Sequence, residues 1–373
     1  MSGLPFKYWL LSTSSWVIQE LVVARSATVF SEANAIVWSD FEAAIEHLIQ
    51  LDGQIQLTEA WQLIQVVRSA QGRADSNFVE QPASFETIVT LAAYSQNQDP
   101  RDTIYALLSL IREDEPPWTA GIDYSKPFVE VAVNFVLYAI SSSKSLNIIC
   151  RPWIVDWGNS YPSWIRSVKP LVNERGSHLA STRRIADSFV GMPGKCKYKA
   201  TRGAEPVVRL EYGALTTNGF LFDAISDVAL PDPQSPARHT SGDFMNLYQY
   251  LRHQMREEDA TISGSMESDE PSASIQNVLN ADEIVEVVAG RVLIQMKGMV
   301  SGGTASIGLA PPESRVGDCV CLLLGCDVPV ILRPTPGSGY ELIGEAFIAG
   351  VMYGEGMDGL KTGQYTIREI MIG

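Results

Sequence analysis

From Gly317 to Glu355 the chain is cut into short apolar runs by turn residues, and no long helix fits between the cuts. Gly317-Asp318 opens the run Cys319 to Leu324, in which Val320, Leu322 and Leu324 alternate with their neighbours. Gly325-Cys326-Asp327 breaks it, Val328 to Pro334 forms the next run, and Pro334 to Gly339 turns the chain into Tyr340 to Tyr353. Period-two alternation bounded by Gly, Pro and Asp predicts strands joined by tight turns. About Arg291 to Gly373 is therefore expected to be a small, mostly antiparallel β domain. Earlier strands are expected at Phe189–Gly191, Val207–Tyr212, Leu215–Ile225, Arg291–Met299 and Thr304–Leu309.

The first part of the chain has a different period. Apolar residues three and four apart predict helices over Trp16–Ala24, Glu59–Ala70, Phe85–Tyr94, Ile104–Ile111 and Phe128–Ile140. Ser14 is a candidate cap for the first. Ser39 and Glu42 have capping-box spacing for a helix carrying Phe41, Ala44, Ile45 and Leu48 on one face. Ala27–Phe30 and Ala35–Trp38 read as a hairpin. Phe128–Ile140 is apolar nearly all round, which places it at the centre of the helical part. The expected class is α+β: a mostly helical amino-terminal part, then a β-rich, antiparallel, barrel- or sandwich-like domain. Residues 51–150 are helical, 151–200 an aromatic-rich connector and 201–373 the β-rich domain. Segments near 231–241 and 257–274, poor in large apolar residues, are expected as mobile insertions. A helix over Asp243–Met255 lies between them.

Composition narrows the function. The chain has 43 acidic against 28 basic side chains, a net charge of −15. No basic stripe runs along any segment, which argues against nucleic-acid binding. The most apolar helix is well short of the ~20 residues needed to cross a bilayer, and the start has too little charge and apolar length for a secretory leader. Five cysteines do not form a disulfide framework in a chain this long. These features fit a cytoplasmic protein with no membrane partner.

The wording of the carboxy-terminal runs resembles the end of fungal heterokaryon incompatibility (HET) family proteins. Gly317-Asp318, Leu332-Arg333-Pro334, Gly344-Glu345 and Met352-Tyr353-Gly354-Glu355 stand in the family's order. Upstream, Asp99-Pro100-Arg101-Asp102 with Tyr105-Ala106-Leu107-Leu108, then Asp123 to Pro127, is similar to the segment that follows the HET signature domain. Pro162-Ser163-Trp164 and Trp16-Val17-Ile18-Gln19-Glu20-Leu21 match two further family elements. The resemblance implies a role in self/non-self recognition and programmed cell death, with other proteins of an incompatibility pathway as partners. It also implies that residues 1–50 are the remnant of a HET domain lacking its first half. Ser14 stands where the family usually has arginine.

Candidate chemistry is sparse. The HET domain's distant likeness to Toll/interleukin-receptor domains implies one catalytic candidate, Glu20, as the helix-borne carboxylate of an NAD-cleaving enzyme whose other half-site is missing or supplied by a partner. The plainer reading is a solvated glutamate, and the chain is expected to be non-catalytic. Cys319, Cys321 and Cys326 could begin a zinc site, but no matching pair of Cys or His lies near them in sequence, so buried core cysteines are favoured. The glycines of Gly350 to Gly356 lack the Lys-Ser/Thr of a phosphate loop and read as turn residues. Asp99, Arg101 and Asp102 read as a helix cap with ion pairs. No cofactor or metal is expected. A third reading makes the β domain a module that grips a peptide or small ligand.

Overall fold

Helix α1 (Ser15–Val23) starts where expected, but its cap comes from elsewhere in the chain. The Ser14 side chain makes no cap; the Ser15 N–H, one of the donors a helix start leaves open, bonds Asn97 Oδ1 at 3.0 Å. Asn97 also donates to Ser15 Oγ (3.0 Å) and Thr103 Oγ1 (3.3 Å), tying three segments together. These features come from a computed structural model, which describes residues 14–31, 34–51, 58–72, 83–95, 97–155, 161–168, 188–229, 291–299, 305–337 and 339–373. The expected helix at 243–255 and the expected insertions at 231–241 and 257–274 lie outside the described residues.

The hairpin forms from β1 (Thr28–Ser31) and β2 (Asn34–Val37), paired antiparallel. Helix α2 (Trp38–Leu51) begins one residue before the expected cap, so Ser39 sits inside it. Glu42 is used differently: it accepts a bond from Trp38 Nε1 (2.7 Å) and pairs with Arg68 of α3 (Thr58–Ala70). Phe41 and Ile45 face inward against Ile64, whereas Ala44 and Leu48 are exposed. In α4 (Phe85–Leu91) Ser84 does cap, accepting the Thr87 N–H at 3.2 Å. The helix expected over Ile104–Ile111 is a correction. It is a single turn, α5 (Asp102–Tyr105), followed by a 3₁₀ turn at Leu108–Leu110. Tightening to i→i+3 bonds, Leu110 N–H to Leu107 and Ile111 N–H to Leu108, buries Ile104 and Leu107 and leaves Leu108 and Ile111 half-buried. Helix α6 (Phe128–Ser143) occupies the centre, with Ala132, Phe135, Val136 and Ala139 out of contact with solvent. No described helix is long and apolar enough to cross a membrane.

The connector holds a short parallel pair, β3 (Ile154–Val155) and β4 (Ser167–Val168). The sheet that follows has nine strands: β5 (Val208–Glu211), β6 (Ala214–Ala229), β7 (Val292–Met299), β8 (Ala305–Ala310), β9 (Cys319–Leu323), β10 (Val330–Pro334), β11 (Tyr340–Glu345), β12 (Phe347–Ile348) and β13 (Arg368–Ile372). Long β6 organises it, pairing β5 and β13 early, β9 in its middle and β7 late. Because β13, β11, β10 and β9 also pair in turn, the hydrogen-bonded path β6–β13–β11–β10–β9 returns to β6. Gly219 is the shared corner, facing Arg368 of β13 and Leu323 of β9. A Cβ there would lie 2.6 Å from the Leu322 carbonyl oxygen, so only glycine fits without moving backbone.

Alternation decides which core each strand residue enters. Phe220, Ile225, Ile294, Val320, Leu322, Ile331, Ile343 and Ile348 form one cluster. Their neighbours Cys321, Leu323, Val330, Leu332 and Leu342 join the core of α4 and α6. Within the nine-stranded sheet, pairing is antiparallel except between β11 and β13. Two details depart from the sequence reading. Helix α7 (Glu355–Lys361) interrupts the strands after Gly354, whose φ of +94° suits the turn into it. The strand expected at Phe189–Gly191 is a bend, because its N–H groups bond a side chain instead of a ladder.

Candidate functional site

The two upstream motifs dock on each other. Asp99 accepts the Arg101 N–H and Nε, both at 2.9 Å, and Arg101 Nη2 at 2.6 Å, so it caps the turn and holds the arginine. The Arg101 hydrogen bonds hold the Asp99 carboxyl below the usual range. The same guanidinium donates to the carbonyls of Tyr124 and Lys126 and lies 5.2 Å from the centre of the Tyr124 ring. Tyr124 donates to Asp102 at 2.7 Å; desolvation, then this carboxylate, pushes its phenol up to about 12. Tyr105 reaches the Asp123 carbonyl at 3.2 Å, and Asp123 Oδ1 takes the Ser125 N–H and hydroxyl at 2.8 and 2.6 Å. The expected ion pair is present between Asp99 and Arg101, while Asp102 serves Tyr124.

The remaining motifs fasten the connector to the sheet. The Ser163 N–H bonds the Gly373 carbonyl at 2.9 Å, the Ser163 hydroxyl accepts the Leu342 N–H at 2.7 Å, and Trp164 beside it is fully buried. Glu345 of β11 is buried and accepts from Ser188 Oγ (2.7 Å), the Phe189 and Val190 N–H groups (both 3.0 Å) and Arg291 Nη2 (3.0 Å). The Arg291 guanidinium also lies 3.3 Å from the centre of the Phe189 ring. Buried Glu86 and Arg151 make a second internal pair, and Arg151 Nε donates to the Gly191 carbonyl at 2.8 Å. Burial raises the Glu86 carboxyl, with Arg151 opposing. Sequence reading missed Glu86, Arg151 and Arg291. The available signal was one charge inside an otherwise apolar run, which has to be paired once buried.

Each of these carboxylates is committed to partners inside the fold. Of these fasteners, Ser163 borders a cleft. A shallow cavity of about 390 Å³ opens at the strand rim, lined by Tyr161, Ser163, Thr335, Tyr340, Glu341 and Met371. Its size lies at the lower end for a small-ligand site, and Glu341 contributes a carboxylate to its lining.

Glu20 lies on the exposed face of α1 with Trp16. Among the described residues none donates a hydrogen bond to its carboxylate. All five cysteines are free thiols, with Cys321 and Cys326 fully buried. No group of three or more potential ligands among the described residues is placed to hold a metal ion. Gly350 and Gly354 have φ of +73° and +94°, as turn glycines do.

Residues 233–365 match the Het-6 beta-barrel domain family. A 52-residue stretch is 42% identical to heterokaryon incompatibility protein 6, OR allele, of Neurospora crassa. On these two matches the chain is a HET-family protein. The second match covers 13% of this chain and 8% of the Neurospora protein. No solved structure matches the chain.

Proposed function

We propose that this chain acts in fungal heterokaryon incompatibility as a protein-binding rather than a catalytic component. In this reading it takes part in self/non-self recognition that ends in programmed cell death, works in the cytoplasm and is partnered by other proteins of the pathway. The closed path through β6, β13, β11, β10 and β9 is read as the barrel of the domain. The match of residues 233–365 to the Het-6 beta-barrel family carries the proposal. The use of the motif residues supports it: Arg101, Asp318, Arg333 and Glu345 bond other parts of the fold and leave no open reactive group. The test is genetic. The gene is deleted or overexpressed in a host fungus, and fused cells from a panel of strains are scored for viability with a vital dye. Death in particular pairings should follow the gene; a panel in which no pairing changes would overturn the proposal.

A second reading, NAD cleavage through Glu20, draws on the exposure of that side chain on α1. Cleavage needs a pocket that holds the ribose against the carboxylate, because positioning supplies about 7–11 kcal/mol of such a barrier. Purified chain should therefore leave NAD intact, and Glu20→Ala should change nothing. Nicotinamide release that vanishes in Glu20→Ala would put the enzyme reading first.

A further inference from the structure

We propose that Cys150 and Cys326 form a redox-active thiol pair whose reversible disulfide ties the helical part to the strand domain. Their sulfurs lie 3.5 Å apart although 176 positions separate them in sequence. Cys150 ends the 3₁₀ turn Asn147–Ile149, and Cys326 follows Gly325 in the turn between β9 and β10.

The backbone on both sides is already clamped. The Leu146 N–H and the Ser145 hydroxyl bond the Gly325 carbonyl at 2.7 and 3.0 Å. Asn147 and Asp327 exchange two bonds, Nδ2 to Oδ2 at 2.8 Å and the Asp327 N–H to Oδ1 at 2.9 Å. Thr201 fixes the Cys326 carbonyl at 2.9 Å. These contacts hold the thiols facing each other before any reaction, and such positioning gives a high effective concentration. Closing the bond needs the sulfurs to approach to about 2.05 Å, a small movement from their present separation. The other buried thiol is otherwise engaged, because Cys321 bonds the Phe220 carbonyl at 3.2 Å.

The oxidant is a peroxide. One sulfur, as thiolate, attacks the O–O bond, giving a sulfenic acid and one water. The second sulfur then displaces the sulfenic oxygen as a second water, and the S–S bond forms. Two thiols and one hydrogen peroxide thus give one disulfide and two waters. A dithiol returns the two electrons. The Cys326 contact and burial hold the Cys150 thiol protonated, so the reaction is slow beside that of an exposed thiol. The cross-link closes a long loop, the case in which a disulfide restricts the unfolded chain most.

The test uses the full chain. Protein treated with graded hydrogen peroxide is unfolded in N-ethylmaleimide, digested and mapped by mass spectrometry, with thermal unfolding followed in parallel. The expected result is a Cys150–Cys326 cross-linked peptide, a fall from five alkylatable thiols to three and an unfolding midpoint raised by several degrees. Dithiothreitol should reverse all three, and Cys326→Ser should show neither cross-link nor rise. The wild-type map stands even if that variant folds poorly. Cys150 and Cys326 remaining alkylatable while Cys196 oxidises, cross-links joining other cysteines, or a cross-link without a rise in midpoint would each overturn the proposal.

Discussion

The guanidinium of Arg333 grips the carboxylate of Asp318 with two bonds of 2.9 Å, Nε to Oδ1 and Nη2 to Oδ2. These residues belong to the Gly-Asp and Leu-Arg-Pro elements that stand out in the sequence, and the turn between β9 and β10 brings them together. Asp318 is 3% exposed and also accepts the Arg315 N–H at 2.8 Å, so one carboxylate fixes both the turn that leads into β9 and the neighbouring strand β10. A bidentate Arg–carboxylate pair of this geometry is among the stronger side-chain contacts.

Removing either partner should have unequal effects. Arg333→Ala leaves a buried carboxylate without its cation and should cost about 2–4 kcal/mol. Asp318→Asn leaves an arginine that can turn toward water and should cost about 1–2 kcal/mol. Urea unfolding of the two variants measures the difference. Equal losses would mean that the charge on Asp318 is not what the site depends on.

Glu345 and Arg291 should behave as one unit. Glu345→Met removes a partner of Arg291 and the acceptor of the Phe189 and Val190 N–H groups, and Arg291→Met removes a cation from the carboxylate, each costing about 3–5 kcal/mol. The double replacement should cost clearly less than the sum, because both single changes remove the same contact. A double-mutant cycle by chemical denaturation reads the coupling; additive losses would contradict it.

Gly219→Ala should destabilise by about 1–3 kcal/mol, since the new methyl meets backbone of β9 that cannot move aside. Denaturant midpoints of variant and parent give the value. An unchanged midpoint would show that β6 and β9 do not approach as closely as described.

Acid should weaken one surface contact in a defined window. Asp358 accepts Arg202 at 2.7 and 2.6 Å and Lys361 at 3.1 Å, and the Arg202 bonds, then that of Lys361, hold its carboxyl at about 2 against an ordinary 3.8. A lowered carboxyl contributes stability that is fully present above the unfolded value and lost as pH falls through the folded one. The stability difference between parent and Asp358→Asn should be constant above about pH 4 and shrink toward pH 2. Thermal unfolding at a series of pH values follows it; a difference that grows with acid would reverse the sign and exclude this account.

The sequence by itself determined the period of each segment. Alternation at Val320, Leu322 and Leu324 and the turn residues around them were enough for β9 to β11, and three-four spacing was enough for α3, α4 and α6. Both patterns are local consequences of which side of a helix or strand meets the core. The strand and turn residues of β9 to β11 also carried part of the family resemblance. Only the tertiary structure decided what the motif residues do. Asp99 reaches Arg101 locally, but Arg101 reaches Tyr124 and Lys126, and Glu345 reaches back to Ser188, Phe189 and Val190. No periodicity encodes such pairings, because they depend on where distant segments arrive. Asn97 took the capping role expected of Ser14, and Glu345 turned an apolar stretch at 189–191 into a bend, for one physical reason. A buried N–H must be paired, and the partner nearest in space was not the one nearest in sequence.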